Sequence, residues 1–269
     1  MSDRPLILIT NDDGIRSPGL LAAAQACAGL GDLLIAAPAV QQTGAGRAKP
    51  NTSSGRIVTL ELTIDGRPIT GYAIDGSPAQ VVDYAVLELA ARPVALVVSG
   101  INYGENLGEG ITVSGTIGAA LEAASFGLPA LAVSRQTEPK HYFSHDEHVD
   151  FAVAAQIVRQ FATVVLQRGL PAGVDLFKID VPQDATPQTP HRWTRLSRQP
   201  YFHPFVTPRT AFSEPSPLGF APRFDATTLE AASDIRAVAV DGVVSVTPIW
   251  LDMTAPVTEQ TLAHWFQQP

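Results

Sequence analysis

The chain of 269 residues is 45% apolar and 16% charged, enough to build a sizeable core in one large α/β domain, or in one domain with an appendage. No apolar run approaches the ~20 residues of a membrane span, no leader pattern precedes the first strand, and a formal net charge of −8 argues against a nonspecific nucleic-acid binder, which needs a basic face. A single cysteine, Cys27, excludes an intrachain disulfide framework and suits a reducing compartment, so a cytoplasmic location is expected.

Leu6 to Thr10 is a short apolar run that reads as a buried strand, and it ends in Asn11-Asp12-Asp13-Gly14. Two adjacent carboxylates at the carboxyl end of such a strand place negative charge where an open α/β sheet keeps its ligands. Left uncompensated, the pair repel and raise one another's pKa, whereas an oxygen-preferring divalent cation turns both into ligands. The competing reading is a polar turn, with Asn11 and Asp13 bonding locally and Gly14 supplying a positive φ.

Ser17-Pro18 reads as an N-cap followed by Pro at the first helical position, opening an Ala-rich helix that fails near Gly29 to Gly31 and buries Cys27. Leu33 to Ala37 is the next strand, and together these segments make a βαβ unit and imply a parallel sheet. A polar loop from Pro38 to Ser54 leads to Ile57–Ile64 and Ile69–Ile74, two runs joined by Asp65-Gly66-Arg67-Pro68 as in a hairpin. Ser77-Pro78 opens a second helix, where Val82, Ala85, Val86 and Leu89 form one apolar stripe.

Pro93 to Ser99 is a further buried strand, and Asn102 stands just past its end, as Asp12 and Asp13 do past theirs. A parallel sheet brings all three to one edge, where they can share an ion. Ser114-Gly115-Thr116 precedes a helix-like run from Ile117 to Phe126, so it offers unpaired N–H groups and hydroxyls to an anion such as phosphate; an ordinary N-cap is the plainer reading.

Ile9-Thr-Asn-Asp-Asp-Gly-Ile-Arg-Ser-Pro-Gly19, Val98-Ser-Gly-Ile-Asn-Tyr-Gly-Glu-Asn-Leu-Gly108, Ser114-Gly-Thr-Ile-Gly-Ala-Ala-Leu-Glu122 and Gly127-Leu-Pro-Ala-Leu-Ala-Val-Ser134 occur in that order. Together they resemble the SurE (stationary-phase survival) family of nucleoside monophosphate phosphatases. The likeness continues more weakly through Ile179-Asp-Val-Pro182, Thr194-Arg195, Asp241-Gly242, Thr247-Pro248 and Asp252 to Ala255. It implies a Rossmann-like α/β fold: a parallel sheet flanked by helices over residues 1–182, then a β-rich extension over 183–269 with a hairpin arm, strands and a terminal helix. It also implies a divalent-metal-dependent phosphatase acting on 5'- and often 3'-nucleotides, working as a homodimer or higher oligomer that exchanges C-terminal elements.

Carried onto this chain, the family's metal ligands fall on Asp12, Asp13, Thr43 and Asn102. Thr43 stands where the family typically has Ser in Pro-Asp-Arg-Asn-x-Ser-Gly, and its hydroxyl can coordinate as a serine's does. Ala39 and Val40 replace the Asp and Arg of that pattern, leaving Arg47 and Lys49 as the nearby cations. Gly76-Ser-Pro-Ala-Gln80 departs from the usual Thr-Pro-x-Asp or Thr-Pro-x-Cys. One divalent cation per subunit, Mg or Mn, held by this set would keep open positions for water and a phosphoryl oxygen. Asn11, Asn106 and the Ser114, Gly115 and Thr116 turn would surround the phosphoryl oxygens, with Asp12 and Asn11 closest to the chemistry. Hydrolysis by metal-activated water is the expected route, with Asp12 as nucleophile or general base the alternatives. The rival functions are a metal- and nucleotide-binding protein with little catalysis, and a phosphatase preferring polyphosphate or other phosphomonoesters.

His141, His145 and His148, with Asp146 and Glu147, could bind a transition metal. The favoured reading is a polar loop leading into an amphipathic helix from Phe151 to Arg168, with its acids near the positive end of that helix. The Pro-rich arm from Gln199 to Arg223, with Tyr201, Phe202, Phe205, Phe212 and Phe220, suits a partner surface, a lid or a plain surface loop. Trp265 and Phe266 are expected to pack the closing helix down.

Overall fold

The structure is a computed structural model that describes residues 4–143 and 148–267. In chain order its elements are β1 (Leu6–Thr10), α1 (Pro18–Cys27), β2 (Asp32–Pro38), β3 (Ile57–Ile64), β4 (Arg67–Ile74), α2 (Pro78–Tyr84), β5 (Val94–Tyr103), α3 (Gly115–Ser125) and β6 (Ala130–Arg135). They continue as α4 (Ala152–Arg168), β7 (Leu176–Val181), β8 (His191–Trp193), β9 (Phe202–Val206), β10 (Leu218–Pro222), β11 (Val244–Ile249) and α5 (Glu259–Gln267).

A nine-stranded sheet runs in the order β3-β4-β2-β1-β5-β6-β7-β11-β8. The core strands pair in parallel, while β3 against β4 and β11 against β7 are antiparallel. β1 and β7 are buried along their whole length, as a strand covered on both faces must be. One apolar layer lies under α1 and α4 and the other under α2 and α3, so the fold is the mostly parallel, helix-flanked α/β architecture that the segment pattern implies. No helix among the described residues is long and apolar enough to cross a membrane.

From β1 the sheet grows one way through β2 and the other way through β5, so the strand order reverses between β1 and β5. Such a switch point opens a crevice beyond the strand carboxyl ends. β1 stops at Thr10, which pairs with Ser99, while β5 runs on past that pair to Tyr103. The β5–β6 register slips between Gly100 and Asn102. Gly100 holds φ +131, and a Cβ there would sit 2.2 Å from the Val133 carbonyl oxygen, so only glycine passes this slip.

The local signals work through different contacts. Ser77 builds a full capping box with Gln80, whereas Ser17 lends no side-chain cap and its buried hydroxyl finds no partner. The stripe starting at Val82 buries Ala85, but beyond Tyr84 the helix widens into a π turn over Ala85–Leu89. Cys27 is fully buried, and burial pushes its thiol up to about 12, so it is an inert core residue. The Pro-rich arm contains a two-stranded antiparallel ribbon, β9 with β10, standing apart from the main sheet. β8 and β11, by contrast, join that sheet at its far edge.

One expectation is overturned at the C-terminus. Trp265 and Phe266 do not pack α5 down: both rings are exposed, and the described residues of α5 bury nothing. The helix carries an apolar face, but no surface of its own chain receives it.

Candidate active site

The turn after β1 is the polar turn and the acidic site at once. Asn11 is buried and closes the turn with two bonds, accepting from the Gly14 N–H at 3.0 Å and donating to the Gly14 carbonyl at 3.2 Å. That clamp turns Asp12 and Asp13 into the crevice, where both are also buried.

Asp12 meets the start of α3. The Thr116 hydroxyl donates to its Oδ1 at 2.5 Å, and the backbone N–H groups of Thr116 and Gly115 add to that hold. The approach is close enough that a Cβ on Gly115 would lie 2.7 Å from the Asp12 carboxylate, so glycine is needed here for space. Ser114 caps the helix instead, accepting from the Ile117 N–H at 3.2 Å. The anion drawn to this helix start is thus the protein's own carboxylate.

Asp13 is held by Gln41, which donates to Oδ1 at 3.1 Å, and by the Tyr103 N–H, which reaches Oδ2 at 3.3 Å. Burial raises the pKa of both carboxyls above the usual range, and for Asp13 the neighbouring Asp12 charge adds to the effect. The donors named here are all neutral, so a divalent cation is the partner that would relieve the crowding.

Asn102, half-buried at the β5 slip, donates from its amide nitrogen to the carbonyls of Gly104 at 2.8 Å and Tyr103 at 3.2 Å. Those bonds turn its amide oxygen the other way. Thr43 is exposed on the loop after β2, one residue past Gln42, whose N–H donates to the Asp12 carbonyl at 2.7 Å. Two acids, an amide oxygen and a hydroxyl make an all-oxygen donor set of the kind hard cations take. Among the described residues no group of three or more His, Cys, Asp or Glu gathers as a metal site. His141 ends a short 3-10 turn, and His145, Asp146 and Glu147 lie outside the described residues.

Arg47 and Lys49 do not replace the missing charge at the loop. Both donate at 2.8 Å to Glu122, on the far side of α3 from its first turn, and Lys49 also pairs with Asp83.

Asn106 belongs to a network that sequence reasoning missed. Its N–H donates to Asp180 at 2.7 Å, its amide to the Ser134 hydroxyl at 2.8 Å, and its carbonyl accepts from Lys178 at 2.8 Å. Lys178, Asp180 and Asp234 are fully buried together, with Lys178 bonded to Asp180 and 3.0 Å from Asp234. Asp234 in turn accepts from the N–H groups of Gly108 and Ser197, tying the loop after β5 to the base of the arm. Burial works against the Lys178 charge, but the two carboxylates outweigh it and hold its pKa above the ordinary lysine value. A signal existed: in Leu-Phe-Lys-Ile-Asp-Val, a Lys and an Asp two apart share one face of an otherwise apolar strand.

Beside this network Tyr201 donates to Glu105 at 2.6 Å, and Phe202 packs edge-on against Tyr142. The arm is rooted next to the crevice.

Residues 7–203 match a family model described as Survival protein SurE. The chain is 42% identical over 258 residues to the 5'-nucleotidase SurE of Thermococcus gammatolerans, an alignment spanning 96% of this chain and 94% of that protein. It is 40% identical over 266 residues to the 5'-nucleotidase SurE of Methanocella arvoryzae, spanning 95% of each. Among solved structures it is similar to the SurE protein of Aquifex aeolicus, with a TM-score of 0.74 at 28% identity over 98% of this chain and 100% of that one.

Proposed function

Because this chain belongs to the survival protein SurE family and is a 5'-nucleotidase, a phosphoric monoester hydrolase, we propose that it hydrolyses nucleoside 5'-monophosphates to nucleoside and phosphate with one divalent cation, Mg or Mn, per subunit. The observation that carries the reading is the buried Asp12–Asp13 pair at the switch point, with the Asn102 amide oxygen at the same edge. We assign Asp12, Asp13, Thr43 and Asn102 to the cation, and Asn11, Asn106, Ser114, Gly115 and Thr116 to shaping the phosphoryl seat around it.

Bound there, a hard cation supplies a more acidic water and offsets the charge of the phosphoryl oxygens. The protein's own share is positioning. Thr116 and the α3 N–H groups fix the rotamer of Asp12, so that carboxylate can orient the attacking water and take a proton from it. The Asn11 clamp keeps the two carboxylates in register, and Asn106, pinned through its backbone to Asp180 and through its side-chain amide to the Ser134 hydroxyl, is the further group we assign to the phosphoryl seat. Hydrolysis proceeds as water oxygen bonds to phosphorus, the ester bond breaks, and the nucleoside hydroxyl leaves with a proton. The activity extends to 3'-nucleotides when the seat grips only the phosphoryl group.

Stripping the protein with EDTA is expected to abolish turnover, and adding Mn2+ or Mg2+ to restore it. A panel of p-nitrophenyl phosphate, 5'- and 3'-monophosphates and polyphosphate should be led by the 5'-nucleotides. Turnover indifferent to EDTA would overturn the metal reading, and tight Mn2+ binding with no turnover on any substrate would mark a binding protein instead.

We assign residues 183–269 to assembly as well. Phe205, Val206, Phe212, Leu218 and Phe220 on the arm and Leu262, Trp265 and Phe266 on α5 are exposed apolar side chains, more than a single chain gains by leaving bare. A second copy of the chain, in a dimer or tetramer, is the partner proposed. Deleting Thr207 to Pro222 should lower the mass read by light scattering; an unchanged mass would remove the arm from the interface.

A further inference from the structure

Gln41 sits between two loops that the sheet does not join. Its amide nitrogen donates to Asp13 Oδ1 at 3.1 Å and to the Tyr142 carbonyl at 2.8 Å, bridging the turn after β1 to the segment after β6. Gln41 is itself half-buried, and the backbone on either side is anchored. The Ala39 N–H donates to the Ile74 carbonyl, and the Gln42 N–H donates to the Asp12 carbonyl. The Tyr142 ring covers Gly104 so closely that a Cβ there would meet it at 2.7 Å, and its far edge packs on Phe202 at the base of the arm.

We infer that Gln41 is a positioning residue for the cation site: it fixes the Asp13 carboxylate through Oδ1, while the Tyr103 N–H holds Oδ2, and it locks that orientation to the Tyr142 segment. This rests on the reading of Asp13 as a ligand. The geometry needs an uncharged donor long enough to span both acceptors. A shorter Asn reaches one of them, and a Lys would neutralise the very charge the cation is drawn to. A donor that orients a ligating carboxylate affects metal affinity even though it never touches the metal, typically by about 10- to 100-fold.

The test is calorimetric titration of the full-length, metal-stripped protein with Mn2+ alone, on the parent, Gln41→Ala, Gln41→Asn and Asp13→Asn. Gln41→Ala is expected to weaken Mn2+ binding by about tenfold or more and to raise the Mn2+ level for half-maximal turnover by the same factor. The kcat at saturating Mn2+ should fall far less. The metal-free melting temperature should move by no more than about 8 °C, as for the two lost hydrogen bonds. Gln41→Asn should fall between Ala and the parent. Parent-like Mn2+ affinity in Gln41→Ala, with Asp13→Asn losing Mn2+, would overturn the positioning role alone. Parent-like affinity in Asp13→Asn would overturn the ligand reading, and this role with it.

Discussion

Asp12→Asn is expected to lower kcat/KM for a nucleoside 5'-monophosphate on the order of 10³-fold, about 4 kcal/mol of transition-state stabilisation. The substitution keeps the shape and the acceptor for Thr116, and removes one thing, the negative charge. Folding should tolerate it. Burial already raises the Asp12 pKa, so the neutral amide sheds a desolvation cost and the repulsion from Asp13, which offsets the poorer bonds to the α3 N–H groups. The melting temperature of the metal-free protein should therefore drop by less than about 4 °C. Steady-state assays with saturating Mn2+, alongside scanning calorimetry, check both halves. Turnover within tenfold of the parent would remove Asp12 from the chemistry, and a collapsed melt would make it a structural residue instead.

Lys178→Met should have the largest effect on stability. It strands Asp180 and Asp234 in a fully buried site with no counter-charge, and breaking a buried pair in this way costs about 3–5 kcal/mol. Against the ~5–15 kcal/mol that holds a domain together, that is a large fraction. It corresponds to a drop of about 6–20 °C in melting temperature. The pH dependence gives a second signature. The parent's stability from this lysine, whose pKa is raised in the fold, is fully present below the ordinary lysine value and is lost only as the pH climbs through the raised one. In the Met variant the stranded Asp180 carboxyl, whose pKa burial already raises in the parent, binds protons more readily folded than unfolded, so acidification should narrow the variant's gap to the parent. A variant melting within about 2 °C of the parent at neutral pH would show that the lysine contributes no net stability.

Asp12 and Asp13 were legible because they stand just past the end of an apolar strand, and a parallel sheet puts such ends on one edge; Asn102 follows the apolar run as read but lies inside β5, which continues beyond Ser99 to Tyr103. The Ser114 to Thr116 turn was legible as a helix start but not as the seat of Asp12, since nothing in the spacing says that the anion is internal. Gln41 hid inside a loop whose departures from the family pattern drew attention to Ala39, Val40 and Thr43. The Lys178 network joins β7 to Asp234 far along the chain, and partners so remote carry no periodicity to read. Burial of those ions is a tertiary fact. The fate of Trp265 and Phe266 was misjudged for a related reason: an amphipathic pattern states that a helix has an apolar face, not which molecule covers it.

The placing of β11 between β7 and β8 also sets an order of events during synthesis. β7 offers its outer edge to β11 and to no other strand, and β8, though made earlier, attaches only to β11. The ribosome must therefore release the chain as far as Ile249 before the sheet can close. Until then the nascent protein carries an open strand edge at β7. The last strand to emerge is thus the one that covers the β7 edge, and an edge of that kind invites mispairing while it stays open.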